Sequence, residues 1–254
     1  MRIVRGTSAG NHLHGEGGDH LYGGAGRDFY FVQPGDLVFE RDGGGLDSIE
    51  SRFSYTLLPG QEIEVMVPID YDTGYDDPIR FVGNEYAQVI WGNGGANVLD
   101  GRGGADRVLG NAGDDLLRGG GGNDRLYGHF GNDTLEGGAG KDMMYGGSER
   151  DTFLFRHTGD STPASAGRDS IQDFSQAEHD RIDLHLIDAD RGSAGNQAFR
   201  FIHDAPFSGH AGELQAAAFG TQTLVSGDVS GDGRADFAIL IFGNIALERG
   251  DFVL

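Results

Sequence analysis

GNGGANVLD, GRGGADRVL, GNAGDDLLR, GGGGNDRLY, GHFGNDTLE, GGAGKDMMY and GGSERDTFL follow one another without a gap from Gly92 to Leu154. Each unit opens on glycine. Their sixth residues are Asn97, Asp106, Asp115, Asp124, Asp133, Asp142 and Asp151, and their eighth are Leu99, Val108, Leu117, Leu126, Leu135, Met144 and Phe153. A carboxylate every nine residues, an apolar side chain two places later and glycine at positions one and four is too regular for chance.

The spacing matches the pattern G-G-x-G-x-D-x-U-x, which predicts a Gly-rich turn followed by a three-residue strand in a parallel β-roll. Glycine tolerates positive φ and lets backbone carbonyls converge without Cβ clashes. Calcium takes six to eight oxygens in a flexible cage, so turn carbonyls and carboxylates suit it. Two units make one coil, so units n and n+2 stack with their aspartates one strand spacing apart, roughly 4.8 Å. Asp115, Asp133 and Asp151 then form one ladder headed by Asn97, and Asp106, Asp124 and Asp142 form the other. Stacked pairs sharing an ion would give up to about five sites, the Asn97–Asp115 pair being the weakest. The eighth-position side chains fill a thin core that metal has to support.

Composition points the same way. Glycine is 46 of 254 residues, the apolar fraction is 37% and the net charge is −21. So little apolar material makes hydrophobic burial a poor candidate for the main stabilising term. The charge argues against nucleic acid and anionic membrane as partners and for cations. Without cysteine there is no disulfide to staple the fold, and metal is the obvious substitute. No 18-residue apolar run predicts a membrane span, and MRIVRGTSAGNHLHG lacks the apolar stretch of a Sec-type signal.

Outside the main array the pattern is degenerate. Residues 1–50 read as a short first roll: Leu13, Leu21 and Tyr30 take the apolar position, Asp19 and Asp28 the carboxylate position, and Asp36 and Asp47 lie in G-D-x-U and G-x-D-x-U remnants. From Asp47 to Val67 the period becomes two, with Ile49, Phe53, Tyr55, Leu57, Ile63, Val65 and Val67 as the half-buried set, and residues 51–82 read as inter-repeat strands with the acidic loop Asp70–Pro78. Residues 83–155 are the main roll, with GNEYAQVIW as a calcium-poor lead-in and Glu149 as a cap. In 156–254, Asp169 and Asp180 repeat the D-x-I core in weaker form, and strand-like runs follow. We expect an all-β chain: a parallel β-roll with a C-terminal antiparallel β region, and room for one helix around Leu214–Ala218.

Catalytic constellations are missing from the sequence. None of the nine histidines makes H-E-x-x-H. His12, His14 and His20 read as solvated residues rather than a zinc site. The G-x-G-x-x-G coincidences lack a βαβ context. Asp228–Asp236 imitates an EF-hand loop, but Ile239 stands where a bidentate glutamate is required, so it reads as a tight turn. Glu62 and Glu64 read as a solubilising pair.

The arrays and the C-terminal third resemble the RTX proteins, specifically the calcium-binding C-terminal domain of serralysin-type bacterial metalloproteases. The segments that carry the resemblance are DSIQDF, DRIDL, AGNQAFRFI, FSGHAGEL, TLVSGDVSGDGRADFAI and the final DFVL, in that order. The stretch Phe31–Leu57 also resembles the calcium modules of mannuronan C5-epimerases. The resemblance implies several calcium ions at the sixth-position aspartates and their turn carbonyls. It also implies secretion through a type I secretion machinery by an uncleaved C-terminal signal, with Asp251–Leu254 as its ending. The expected function is that of a secreted, non-catalytic calcium-binding protein that folds on extracellular calcium. One alternative is the export domain of an enzyme seen without its catalytic part. Another is a module for extracellular polysaccharide using Tyr71, Tyr75 and Trp91.

Overall fold

The structure, a computed structural model, describes residues 1–40, 44–69 and 76–254. Most of it is a parallel β-solenoid in which successive short strands alternate between two faces. One face is a continuous sheet that begins at His12–His14 and runs through Phe29–Phe31, Ser48–Ser51, Val65–Pro68, Val89–Trp91, Arg107–Ala112, Arg125–Phe130 and Met143–Ser148 to Ser170–Ile171. The other face is split. Ile3–Arg5, His20–Tyr22 and Leu37–Phe39 form a three-stranded sheet, and a second sheet runs from Tyr55–Thr56 through Val98–Gly103, Leu116–Gly122 and Thr134–Gly140 to Phe252–Val253.

The core is two columns of side chains, because the inward residue of each strand pairs with the inward residue of the next coil. Leu13, Tyr30, Ile49, Met66, Ile90, Val108, Leu126, Met144 and Ile171 are register partners in sequence along one face. Phe81, Leu99, Leu117, Leu135, Phe153, Ile182 and Phe252 do the same along the other. All are buried. Met66 therefore links the N-terminal coils to the main array without an interruption. This also shifts the expected inward phase of Val65–Pro68 by one residue: Met66 is buried whereas Val65 and Val67 are half-buried, because Met66 is the residue aligned with Ile49 and Ile90.

Where the second face is split, side chains substitute for strand pairing. The N–H of Val38 donates to the Tyr55 hydroxyl at 3.2 Å, and the Val38 carbonyl accepts from Gln61 Nε2. Leu57 and Ile63 close the core at this join.

At the C-terminal end the long sheet continues from Ser170–Ile171 to Phe237–Phe242 and turns antiparallel through Gln222–Asp228 and Glu213–Phe219. The helix expected around Leu214–Ala218 is instead part of the strand Glu213–Phe219. Leu214 is buried there and the segment is paired along its whole length with Gln222–Asp228, a tertiary pairing that outweighs the helix preference of its alanines. No helix among the described residues is long and apolar enough to cross a membrane.

Candidate metal centre

Each coil presents its sixth-position side chain at a turn edge, and one oxygen of that side chain is spent on the backbone of the preceding coil. The Asp115 N–H donates to Asp133 Oδ1 at 2.8 Å, and the Asp133 N–H to Asp151 Oδ1 at 2.9 Å. Asn97 heads this edge by donating to Asp115 Oδ1 at 2.7 Å, and Asp151 extends it by donating to Asp180 Oδ1 at 2.9 Å. On the opposite edge the same bond, at 2.8 Å, links Asp106 to Asp124, Asp124 to Asp142 and Asp142 to Asp169. The two expected ladders are thus present as geometry, with a spacing of 18 residues within the main array.

The second oxygen decides the chemistry. Oδ2 of Asp28, Asp47, Asp106, Asp115, Asp124, Asp133, Asp142, Asp151 and Asp169 is buried and has no hydrogen-bond partner. Each of the main-array oxygens faces the first glycine of its own unit: Asp106 faces Gly101, Asp115 Gly110, Asp124 Gly119, Asp133 Gly128, Asp142 Gly137 and Asp151 Gly146. A Cβ on Gly101 would overlap Asp106 Oδ2 and come within 2.8 Å of the Gly119 carbonyl oxygen of the next coil. Glycine is required at position one because this corner is lined with oxygens, and not for a left-handed backbone. The left-handed residues are at positions two and four, including Arg102, Asn111 and His129 at φ 70°, 80° and 80°.

An unpartnered carboxylate oxygen in such a corner is costly when ionised. Burial pushes Asp124 and Asp133 up to about 6, Asp106 and Asp142 to about 7, Asp115 and Asp151 to about 8 and Asp169 to about 9, against the lowering effect of the single backbone N–H bond. Neighbouring aspartates add to the rise, as Asp133 does for Asp115 and Asp142 for Asp169. A hard divalent cation is the partner that such a donor set fits: carboxylate and carbonyl oxygens only, with no nitrogen or sulfur.

Four of the residues singled out from the sequence are satisfied differently. Asp19 accepts from the N–H groups of Arg2 and Glu16 and pairs with the Arg2 guanidinium at 3.3 Å. Asp36 accepts from Asp19 and Gln33, and Asp180 from Asp151 and Ser175, so both oxygens of each are used by the backbone. Asn97 offers an amide, with Oδ1 accepting from the Ile79 N–H at 3.2 Å. Both oxygens of Asp228 likewise accept from Gly231 and Gly233, and Asp236 Oδ2 from Val229 and Ser230, which is the bonding of a capped turn.

Two ladder members escaped the sequence reading. Glu64 is not a surface solubiliser: its Oε2 accepts the Asp47 N–H at 2.6 Å, in the place of an aspartate. The signal was Met66 two residues later. Gln88 fills the next rung, donating its N–H to Asp106 Oδ1 at 2.7 Å. The three N-terminal histidines do not converge. His12 and His14 stack on Phe29 and Phe31 at 4.7 and 4.3 Å, and His20 lies on the other face against Phe39. Tyr71 and Tyr75 lie outside the described residues, as does most of the acidic loop.

Fold and edges together define a parallel β-roll whose turns stack carboxylates into oxygen-lined corners. The family model of the RTX calcium-binding nonapeptide repeat, in four copies, matches residues 4–36, 82–117 and 118–153, so these stretches of the chain are repeats of that calcium-binding type. Two solution structures are similar to it, the R3 and R2 subunits of an Azotobacter vinelandii mannuronan C5-epimerase. The first has 24% identity over 71% of this chain and 80% of its own, with a TM-score of 0.35. The second has 23% identity over 70% and 88%, with a TM-score of 0.35. No curated protein matches.

Proposed function

We propose that the chain is a secreted, non-catalytic calcium-binding protein whose roll is completed by calcium outside the cell. One observation carries the proposal: nine buried aspartates each keep one oxygen bound to backbone and leave the other unpartnered, and in all but Asp169 that free oxygen faces a glycine. Those nine, Asp28, Asp47, Asp106, Asp115, Asp124, Asp133, Asp142, Asp151 and Asp169, are the proposed calcium ligands, together with carbonyls of the position-one glycines. Asp19, Asp36, Asp180 and Asn97 act as end rungs that orient their neighbours.

The non-catalytic part rests on room. Each corner, too small for one added methyl group next to the carboxylate, holds an ion and no organic substrate, so the carboxylates themselves have no room to act on one. Export fits the same physics, because a chain of charge −21 resists collapse while calcium is scarce and is trapped by folding where calcium is plentiful. Type I export with Asp251–Leu254 in the signal remains the route we propose. The test is bound calcium, measured by atomic emission after gel filtration in millimolar calcium. Wild type should retain several ions per chain. Replacing Asp115, Asp133 and Asp151 together by Asn should remove most of one edge's share. Equal retention by both proteins would refute the ladder as the site.

A further inference from the structure

The first coils break the nonapeptide rule in three ways, and all three meet at one place. Position one of the unit after Phe39 is Glu40, where the main array has glycine throughout. From Gly23 to its ladder residue Asp28 is five residues, but from Glu40 to its ladder residue Asp47 is seven. The inward position-eight residue of the Gly23 unit is Tyr30, where the main array has an aliphatic residue, methionine or phenylalanine.

Tyr22 pairs with Phe39, which sets Glu40 beside Gly23 in the neighbouring coil, and Asp28 donates its N–H to Asp47 Oδ1 at 2.7 Å. The Glu40 carboxylate therefore enters between the two ladder aspartates. Its Oε2 accepts from the Tyr30 hydroxyl, and both atoms converge with Asp28 Oδ2 on a point one bond from the Gly23 Cα. Its Oε1 faces the Asp47 side: a Cβ on Gly44 would lie 2.7 Å from Glu40 Oε1, 3.1 Å from the Gly24 carbonyl and 3.2 Å from Asp47 Oδ2. One oxygen from each of Asp28, Glu40 and Asp47 lies within 4.8 Å of the others, and all three residues are buried. Asp28 and Asp47 are 0% and 1% exposed, and their Oδ2 atoms have no partner.

We propose that Asp28, Glu40 and Asp47 form a distinct calcium site, tighter than the ladder rungs, with the Tyr30 hydroxyl fixing the Glu40 carboxylate. The proposal rests on the reading above that orphaned carboxylate oxygens hold calcium, and adds a third carboxylate to a rung. Affinity in oxygen cages is set largely by ligand charge and rigidity. A rung supplies two carboxylates to one divalent ion, whereas this site supplies three on a side chain held by a phenol. It should fill first and nucleate the N-terminal coils.

The full chain is titrated with calcium by calorimetry, and with terbium under tyrosine excitation, since a phenol beside the ion sensitises lanthanide emission. Wild type should show one binding event that saturates ahead of the ladder events, with terbium emission rising in the same step. Glu40→Gln keeps an acceptor for Tyr30 but removes the charge. It should weaken the first event at least about tenfold while leaving later events and the calcium-saturated circular dichroism unchanged. Tyr30→Phe should keep an early event and lose most of its emission. A first event unaltered by Glu40→Gln, with ladder binding intact, would overturn this site alone. Absence of any calcium binding to the wild type would overturn the ladders as well.

Discussion

Asp133→Asn should change the stability of this protein in opposite directions with and without calcium. Asp133 sits inside its ladder, with Asp115 on one side and Asp151 on the other. Its Oδ1 accepts a backbone N–H, which an amide oxygen can also do, as Asn97 does for Ile79. Its Oδ2 is buried without a partner, and burial raises the carboxyl from 3.8 to about 6. That shift corresponds to about 3 kcal/mol for holding the charge in the calcium-free fold at pH 7.5, and about 2 kcal/mol once screening in the open turns is allowed for. The amide removes this cost, so the calcium-free fold gains stability. In calcium the same substitution deletes a carboxylate shared by two rungs and should raise the calcium midpoint about tenfold. The assay is far-UV circular dichroism at pH 7.5, once in calcium-stripped buffer titrated with trimethylamine N-oxide, which favours compact states, and once titrated with calcium. The variant should fold at lower osmolyte and higher calcium than wild type. Effects of the same sign in both titrations would refute the orphaned oxygen as the calcium ligand.

Protons should compete with calcium for the same carboxylates. Folded values of about 6 to 8 against an ordinary 3.8 mean that the calcium-free fold binds more protons than the unfolded chain. This contribution is fully present below 3.8 and is lost as pH rises through 6 to 8, so the calcium-free roll should lose β-structure across that window while calcium affinity rises; a calcium midpoint independent of pH from 5.5 to 8 would contradict it. Gly128→Ala places a methyl against Asp133 Oδ2 and the Gly146 carbonyl, and should weaken calcium binding at that corner as severely as loss of the aspartate, read by calorimetry; wild-type binding would show the corner is not the site. Deleting Asp251–Leu254 removes an edge strand whose Phe252 is buried against Ile182 and Phe201, so the melting temperature in calcium should fall by several degrees, about 2–4 °C per kcal/mol lost, besides any effect on export.

The main array was legible because its period is strict: a nine-residue repeat fixes both the inward column and the n to n+2 stacking without any tertiary information. Legibility failed where the spacing left the 18-residue register. Asp47, Glu64 and Gln88 are successive rungs, but they are 17 and 24 residues apart and two are not aspartate, so the continuous stack through Met66 looked like period-two strands. Glu40 gave no signal because a carboxylate at position one becomes informative only when the neighbouring coil brings Asp28 and Tyr30 to it. The role of the glycines was only half readable. Composition shows that they are needed, but whether for a left-handed backbone, as at Gly104, or for room beside an oxygen, as at Gly101, depends on the stacked coil. The strand Glu213–Phe219 was hidden by the helix preference of Ala216, Ala217 and Ala218, which antiparallel pairing overrides.

If calcium is part of the fold, far-UV circular dichroism of the full chain during a calcium titration at pH 7.5 will show it. Starting from calcium-stripped buffer, the chain should give a weakly structured spectrum that converts to a β-sheet spectrum in a steep transition on the way to millimolar calcium, and reverts on adding excess chelator. Magnesium at the same concentration should not substitute, since it demands a tighter octahedral cage. A β-sheet spectrum already complete in excess chelator and unchanged by calcium would mean that the roll folds without the ion.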